Sequence, residues 1–306
     1  MEVAQILGKI FQRFVEQSPI SVMARGLRER VLGCDRIDEL FDRVAQRQYT
    51  RELLFSSVFD LLSQVVCGSR KSVPAAYQAD AEQIGISITS VYNKLNGVET
   101  QTAASMVRHS AQTVAPIVKE IGGTLPALLP GYRVKELRRI AAGALPGKSL
   151  VVLDPALKLV VDVFPCEDGH AQERSLLDQV IKTVEPDDCW IEDRNFCTLN
   201  FLFGLEQRDA YFVVRQHQNL PWRPVGRMKK VGRNDPPGGG MVYEQPICVT
   251  DDQGREIRLR RVRIALDQPT RNDEHDVFVL TNLPEKVIAL KVADLYGKRW
   301  RIETAF

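Results

Sequence analysis

The sequence predicts an α+β protein of more than one domain: a helical N-terminal domain over residues 1–130, then an α/β core broken by a β-rich stretch. Three observations lead there. Apolar residues recur at three- and four-residue spacing up to about residue 125. β-Branched runs begin near residue 149, and Pro and Gly cluster between residues 216 and 275.

In chain order, Ile6, Ile10 and Phe14 mark the first helical face, then Ile37, Leu40, Phe41 and Val44, then Leu53, Leu54, Val58, Leu61, Leu62 and Val65. Ile86–Gly97 has a Ser/Thr start and a Gly stop, which predicts a short helix. With Tyr92, Asn93 and Lys94 on its surface, it reads either as the recognition helix of a helix-turn-helix unit or as a packing helix.

Ser149–Leu153 and Leu157–Phe164 read as a hairpin across Asp154-Pro155-Ala156. Glu173–Val184 reads as an amphipathic helix, and Cys189–Asp193 as a short strand ending in acid. A helix to about Gln207 and a strand at Tyr211–Arg215 complete the first part of the core, residues 131–215. This alternation predicts a partly parallel sheet. Residues 216–275 read as an inserted β-rich subdomain, with strands at Gln245–Thr250 and Ile257–Leu266 and a flexible loop at 232–241. Val277–Leu280 resumes the core within residues 276–306, and the last helix is predicted to start near Pro284.

Composition narrows the function classes. A chain of 306 residues with 44% apolar residues and a mean hydropathy of −0.18 describes a soluble globular protein. The apolar runs are too short to span a bilayer, and the N-terminus has no secretory pattern, so a cytoplasmic protein without a membrane partner is expected. Six cysteines are scattered without metal-ligand spacing, which argues against structural zinc and a disulfide framework. No Gly-x-Ser-x-Gly elbow supports a Ser hydrolase. Net charge is +2, yet residues 135–215 hold 10 basic and 14 acidic side chains while residues 216–275 hold 11 and 8. An acidic middle beside a basic segment fits a metal-binding centre next to a surface for a polyanion, and it equally fits random variation.

The chemistry-bearing residues fall in three places. Tyr296, Arg299 and Glu303 share one helical face, backed by an apolar face of Ile288, Val292, Leu295, Ile302 and Phe306. Arg and Tyr hold phosphate and Glu ligates a hard cation, although the same spacing also suits an ordinary amphipathic helix. Asp193 ends a strand, where α/β proteins place their sites, with Arg194 and Asn195 beside it; Asp also caps helices. Asp193 and Glu303 on one core could together hold Mg²⁺ or Mn²⁺ for phosphoryl transfer. The basic stretch Arg223, Arg227, Lys229, Lys230 and Arg233, with Trp222, tracks a DNA backbone or forms a solvated loop.

On these motifs the chain resembles the transposases of bacterial insertion sequences in the DDE class, in the group with a Tyr, Arg, Glu, Lys signature. Two residues separate Tyr296 from Arg299 and three separate Arg299 from Glu303, as in that signature. Trp190-Ile-Glu-Asp-Arg-Asn-Phe196 resembles the group's second catalytic Asp motif, and Leu150–Leu157 and Asp162–Leu176 are similar to it as well. The resemblance implies a ribonuclease-H-like core and two divalent ions, Mg²⁺ or Mn²⁺. It also implies binding of double-stranded DNA at element terminal repeats, strand cleavage and transfer, and a homodimer in an active relative. Asp193 and Glu303 would be the catalytic metal ligands, and Tyr296, Arg299 and Arg194 would position DNA phosphate.

Two departures stand out. The family carries its first catalytic Asp on the first core strand, but no Asp occurs from Thr100 through Leu153. The expected reading is an internal deletion that removes this strand and leaves the core incomplete. Asp154 is the nearest substitute and is read as a turn residue. The chain ends three residues past Glu303, so the signature Lys has no counterpart and a truncated C-terminus is expected. A transposase-like protein without activity is therefore expected, or a DNA-binding remnant that occupies element ends or interferes with an intact transposase.

Overall fold

Apolar residues on single helical faces build the first part of the molecule. A computed structural model describes residues 18–48, 53–141, 148–166, 173–234, 239–270 and 273–303, in two compact units, Met1–Val118 and Lys119–Phe306. The helices are α1 (Pro19–Leu32), α2 (Cys34–Val44), α3 (Phe55–Val66), α4 (Val73–Ile84), α5 (Ile88–Asn96) and α6 (Thr100–Glu120), the last running across the unit boundary. Ile6, Ile10 and Phe14 lie outside the described residues.

Local signals set the helix ends. Ser72 and Ser87 accept hydrogen bonds from the backbone N–H groups of Ala75 and Ser90, which caps α4 and α5. Gly85 stops α4 at φ 67°, a left-handed conformation suited to glycine. One core joins Leu53, Val58, Leu61, Ala76 and Val91; another joins Ile37, Phe41 and Phe55, whose Phe rings stack at 4.3 Å. On α5, Tyr92 and Asn93 are exposed, whereas the Lys94 ammonium sits 4.4 Å above the Phe41 ring.

The second unit is one ten-stranded mixed sheet. Its strands are β1 (Arg133–Ala141), β2 (Lys148–Asp154), β3 (Leu159–Cys166), β4 (Asp188–Glu192), β5 (Tyr211–Arg215), β6 (Arg223–Pro224), β7 (Lys229–Asn234), β8 (Gly240–Thr250), β9 (Glu256–Leu266) and β10 (Asp276–Thr281). They lie in the order β3-β2-β1-β4-β5-β10-β9-β8-β6, with β7 also on β8. β1 pairs antiparallel with β2 and parallel with β4, which is itself parallel to β5. Helices α7 (Leu177–Ile181) and α8 (Leu199–Glu206) and the final helix α9 (Ala289–Glu303) complete the unit.

Two expectations are corrected here. The core is not left open by a missing strand: Arg133–Ala141 fills the place between β2 and β4, and its ladders supply partners on both sides. Nor do residues 216–275 fold apart. β8 and β9 pair along their whole lengths and join β10, so the β-rich stretch extends the core sheet.

Strand alternation divides the second unit into two cores. Leu137, Leu150, Val152, Trp190, Phe212 and Val214 point to the face packed by Leu177, Phe201, Leu202 and Leu205. Cys189, Ile191, Val213, Val262 and Val279 point to the opposite face, where α9 lays Val292, Leu295 and Tyr296 against them. No helix among the described residues is long and apolar enough to cross a membrane.

Candidate active site

β4 is buried along its whole length, so its ends carry the polar chemistry. At its start, Asp188 accepts from Arg133 at 3.0 Å and Lys135 at 2.7 Å, an anchor with no opening to solvent at the carboxylate. At its far end the chain stays extended through Asp193 and turns into a short 3-10 helix, Arg194–Phe196. Asp193 Oδ1 caps that turn by accepting from the Asn195 N–H at 2.7 Å. Its Oδ2 accepts from Arg299 Nη2 at 3.4 Å, which brings α9 to the end of β4.

The residues of α9 separate by depth. Tyr296 is 1% exposed and packs among Ile191, Val213 and Leu295, so its ring is core and not DNA-facing surface. The Arg299 side chain is also nearly buried. Glu303 is the last residue of α9, one turn beyond Arg299 on the same face; its side chain lies outside the described residues, as do those of Ile302 and Phe306. Ile288, assigned by its spacing to the anchoring face, precedes the helix and is exposed.

Glu192, next to Asp193, points to the other face and is fully buried, and neither carboxylate oxygen has a hydrogen-bond partner among the described residues. Burial raises its pKa well above the ordinary value, and the charge of Asp193 adds to the rise while Arg299 opposes it.

Basic side chains gather about the turn that follows Asp193. Arg174 donates from Nε to the Asn195 carbonyl at 2.9 Å. Arg194 reaches Glu274 at 3.2 Å, and Arg215 pairs with the same carboxylate. Burial lowers the His217 pKa, and the charges of Arg174 and Arg194 lower it further. Arg174, Arg215, His217 and Glu274 carry no motif, and only the fold gathers them.

The other candidates scatter. Asp154 ends β2 and accepts from the N–H groups of Ala156 and Leu157 at 2.9 and 3.1 Å, so it serves the turn. Its register partner is Leu159 on β3, and no ladder joins it to β4. In the basic stretch, Arg223 is bound to Glu256 and Arg233 to Asp267. Arg227, Lys229 and Lys230 are exposed, and the first two line a cleft of about 530 Å³ with Glu244, Arg260 and Ile288. On β9, Arg258 is exposed, but Arg260 donates to the carbonyls of Leu283, Pro284 and Val287. Arg261 lies between the rings of Trp222 and Phe278, and Arg263 is bound to Asp276.

A family model for the transposase DDE domain matches residues 148–306. The chain belongs to that family. The matched residues run from β2 through α9 and leave β1 outside them. No curated protein matches the chain.

DDE chemistry needs several carboxylates converging on hard cations, and the described residues do not supply them. No group of three His, Cys, Asp or Glu among them could hold a metal ion. Asp193 has one oxygen on a backbone N–H and the other on Arg299. On β1, Glu136 is 1% exposed and bound by Arg138, whose Nε donates to it at 2.9 Å.

Proposed function

We propose that this chain is a DNA-binding member of the DDE transposase family that engages element ends without cutting them. The observation that carries the reading is Asp193 held by Arg299 beside the turn about which Arg174, Arg194 and Arg215 gather. Guanidinium groups around a strand end suit a phosphate backbone. Among the described carboxylates, Asp193 is bound to Arg299 and a backbone N–H, and Glu136 to Arg138.

Further features support the finer assignment to the Tyr-Arg-Glu-Lys group. The strand order β3-β2-β1-β4-β5, with β1, β4 and β5 parallel, supports a ribonuclease-H-like reading of the core. Tyr296, Arg299 and Glu303 lie on the helix that packs against the end of β4. The match beginning after β1 agrees with an internal deletion in which residues 133–141 took the place of the lost strand. In this reading Arg299 and Arg194 contact or orient phosphate, and Tyr296 acts through packing that fixes Arg299. Arg227, Lys229 and Lys230 extend the DNA surface of the second unit, and the helical first unit binds DNA in its own right. Pairing with an intact transposase would make the chain an inhibitor.

Fluorescence anisotropy with duplexes cut from the DNA on either side of this gene, where element ends are expected, tests the reading. Tight, salt-sensitive binding in EDTA, tighter than to scrambled duplexes of equal length, is the expected result. Equal, weak binding to both sets would contradict it.

A further inference from the structure

Arg138 marks the place where the chain departs furthest from carboxylate chemistry. β1 and β4 run parallel in the register Arg133↔Asp188 to Glu136↔Ile191. Continuing both strands by two residues brings Arg138 level with Asp193. Val134 belongs to the core under α9, with Cys189 and Ile191, whereas Leu137 and Trp190 belong to the opposite core. Alternation therefore places Glu136, Arg138 and Asp193 on the face that α9 covers. Arg138 donates from Nε and Nη2 to Glu136 Oε2, and its side chain keeps 14% of its surface exposed. From the helix side, Arg299 donates to Asp193. Register and alternation thus place the two carboxylate–guanidinium pairs on one face of neighbouring strands.

We propose that Arg138 sets the ligand class of this site: with Arg299 it makes an anion site for a DNA phosphate, closed to divalent metal. The proposal rests on the reading of the chain as a DNA-binding protein and adds the residue that decides what the former catalytic face can hold. A divalent cation entering beside Asp193 would meet Arg138 and would have to strip both carboxylates of their guanidinium partners. A phosphate would share the two guanidinium forks with Glu136 and Asp193. Glu136 is buried and fixed, so it orients the Arg138 guanidinium, whose planar fork suits phosphate oxygens. Glu136 itself cannot stand in for the missing Asp while Arg138 occupies its carboxylate.

The test uses the full chain and two probes, Mn²⁺ alone followed by electron paramagnetic resonance, and a terminal-repeat duplex in EDTA. Wild type is expected to bind no Mn²⁺ at a site that the D193N substitution removes. R138D places a carboxylate level with Asp193 and is expected to create such a site, with at least about tenfold tighter Mn²⁺ binding than wild type. R138Q keeps the shape without the charge, so it also serves if R138D fails to fold. It is expected to weaken duplex binding about tenfold and to lower the salt slope by about one. Wild-type Mn²⁺ binding abolished by D193N would overturn the proposal, and so would an R138Q protein with unchanged affinity and slope. Absence of duplex binding by wild type would instead defeat the DNA reading, and the Mn²⁺ result would still decide whether the face admits metal.

Discussion

Arg299 Nη2 lies 3.4 Å from Asp193 Oδ2, so the last helix is tied to the end of β4 by residues 106 positions apart. Arg299 is almost buried, whereas Asp193 keeps 29% of its side-chain surface. The contact is long and partly screened, so its coupling is modest. A double-mutant cycle of D193N and R299Q is expected to give about 0.5–1 kcal/mol by urea denaturation. Zero coupling would mean that the helix is held by Val292, Leu295 and Tyr296 alone.

Glu192 predicts how stability varies with pH. Its native pKa is raised well above 4.5, chiefly by burial. The native protein therefore retains a proton that the unfolded chain gives up, and stability falls as pH rises from about 4.5 toward the native value. The E192Q variant is expected to remove this fall. Urea midpoints of variant and wild type should draw together near pH 4.5 and separate in favour of E192Q toward pH 8. A constant difference across that range would show that Glu192 does not titrate as its burial requires.

The cysteines provide a third check. Burial pushes the Cys189 and Cys197 thiols up to about 12, whereas Cys34 and Cys67 are exposed. At pH 8 a thiol with such a pKa is ionised in roughly one molecule in 10⁴, and it is sterically covered as well. Labelling with a thiol reagent should modify Cys34 and Cys67 rapidly and spare Cys189 and Cys197 until the protein unfolds. Rapid native labelling at Cys189, identified by peptide mass, would contradict the placement of β4 inside the sheet.

Much of this architecture is legible in the sequence. The hairpin across Asp154 reads directly from β-branched runs, and Tyr211–Arg215 is the observed strand β5. Asp193 just past the end of a strand also emerges from pattern, whereas its contact with Arg299 comes from the fold. β1 does not. Val134, Leu137 and Ile140 stand three apart, a helical spacing, and charged residues fill the gaps. Pairing with β2 and β4 overrides that local preference. Glu136 and Arg138 share a face only when the backbone is extended, so their ion pair has no signal before the strand is known. The merging of residues 216–275 into the core sheet is hidden for a similar reason: Pro and Gly mark turns but do not tell which strands the turns join.

The most direct measurement is strand cleavage. Supercoiled plasmid bearing the gene with its flanking DNA, where terminal repeats are expected, is incubated with the purified chain and Mg²⁺ or Mn²⁺, and nicked and linear products are resolved on a gel. The plasmid is expected to stay supercoiled while the protein remains bound to the repeats. Nicking at the repeats that disappears in D193N would contradict it.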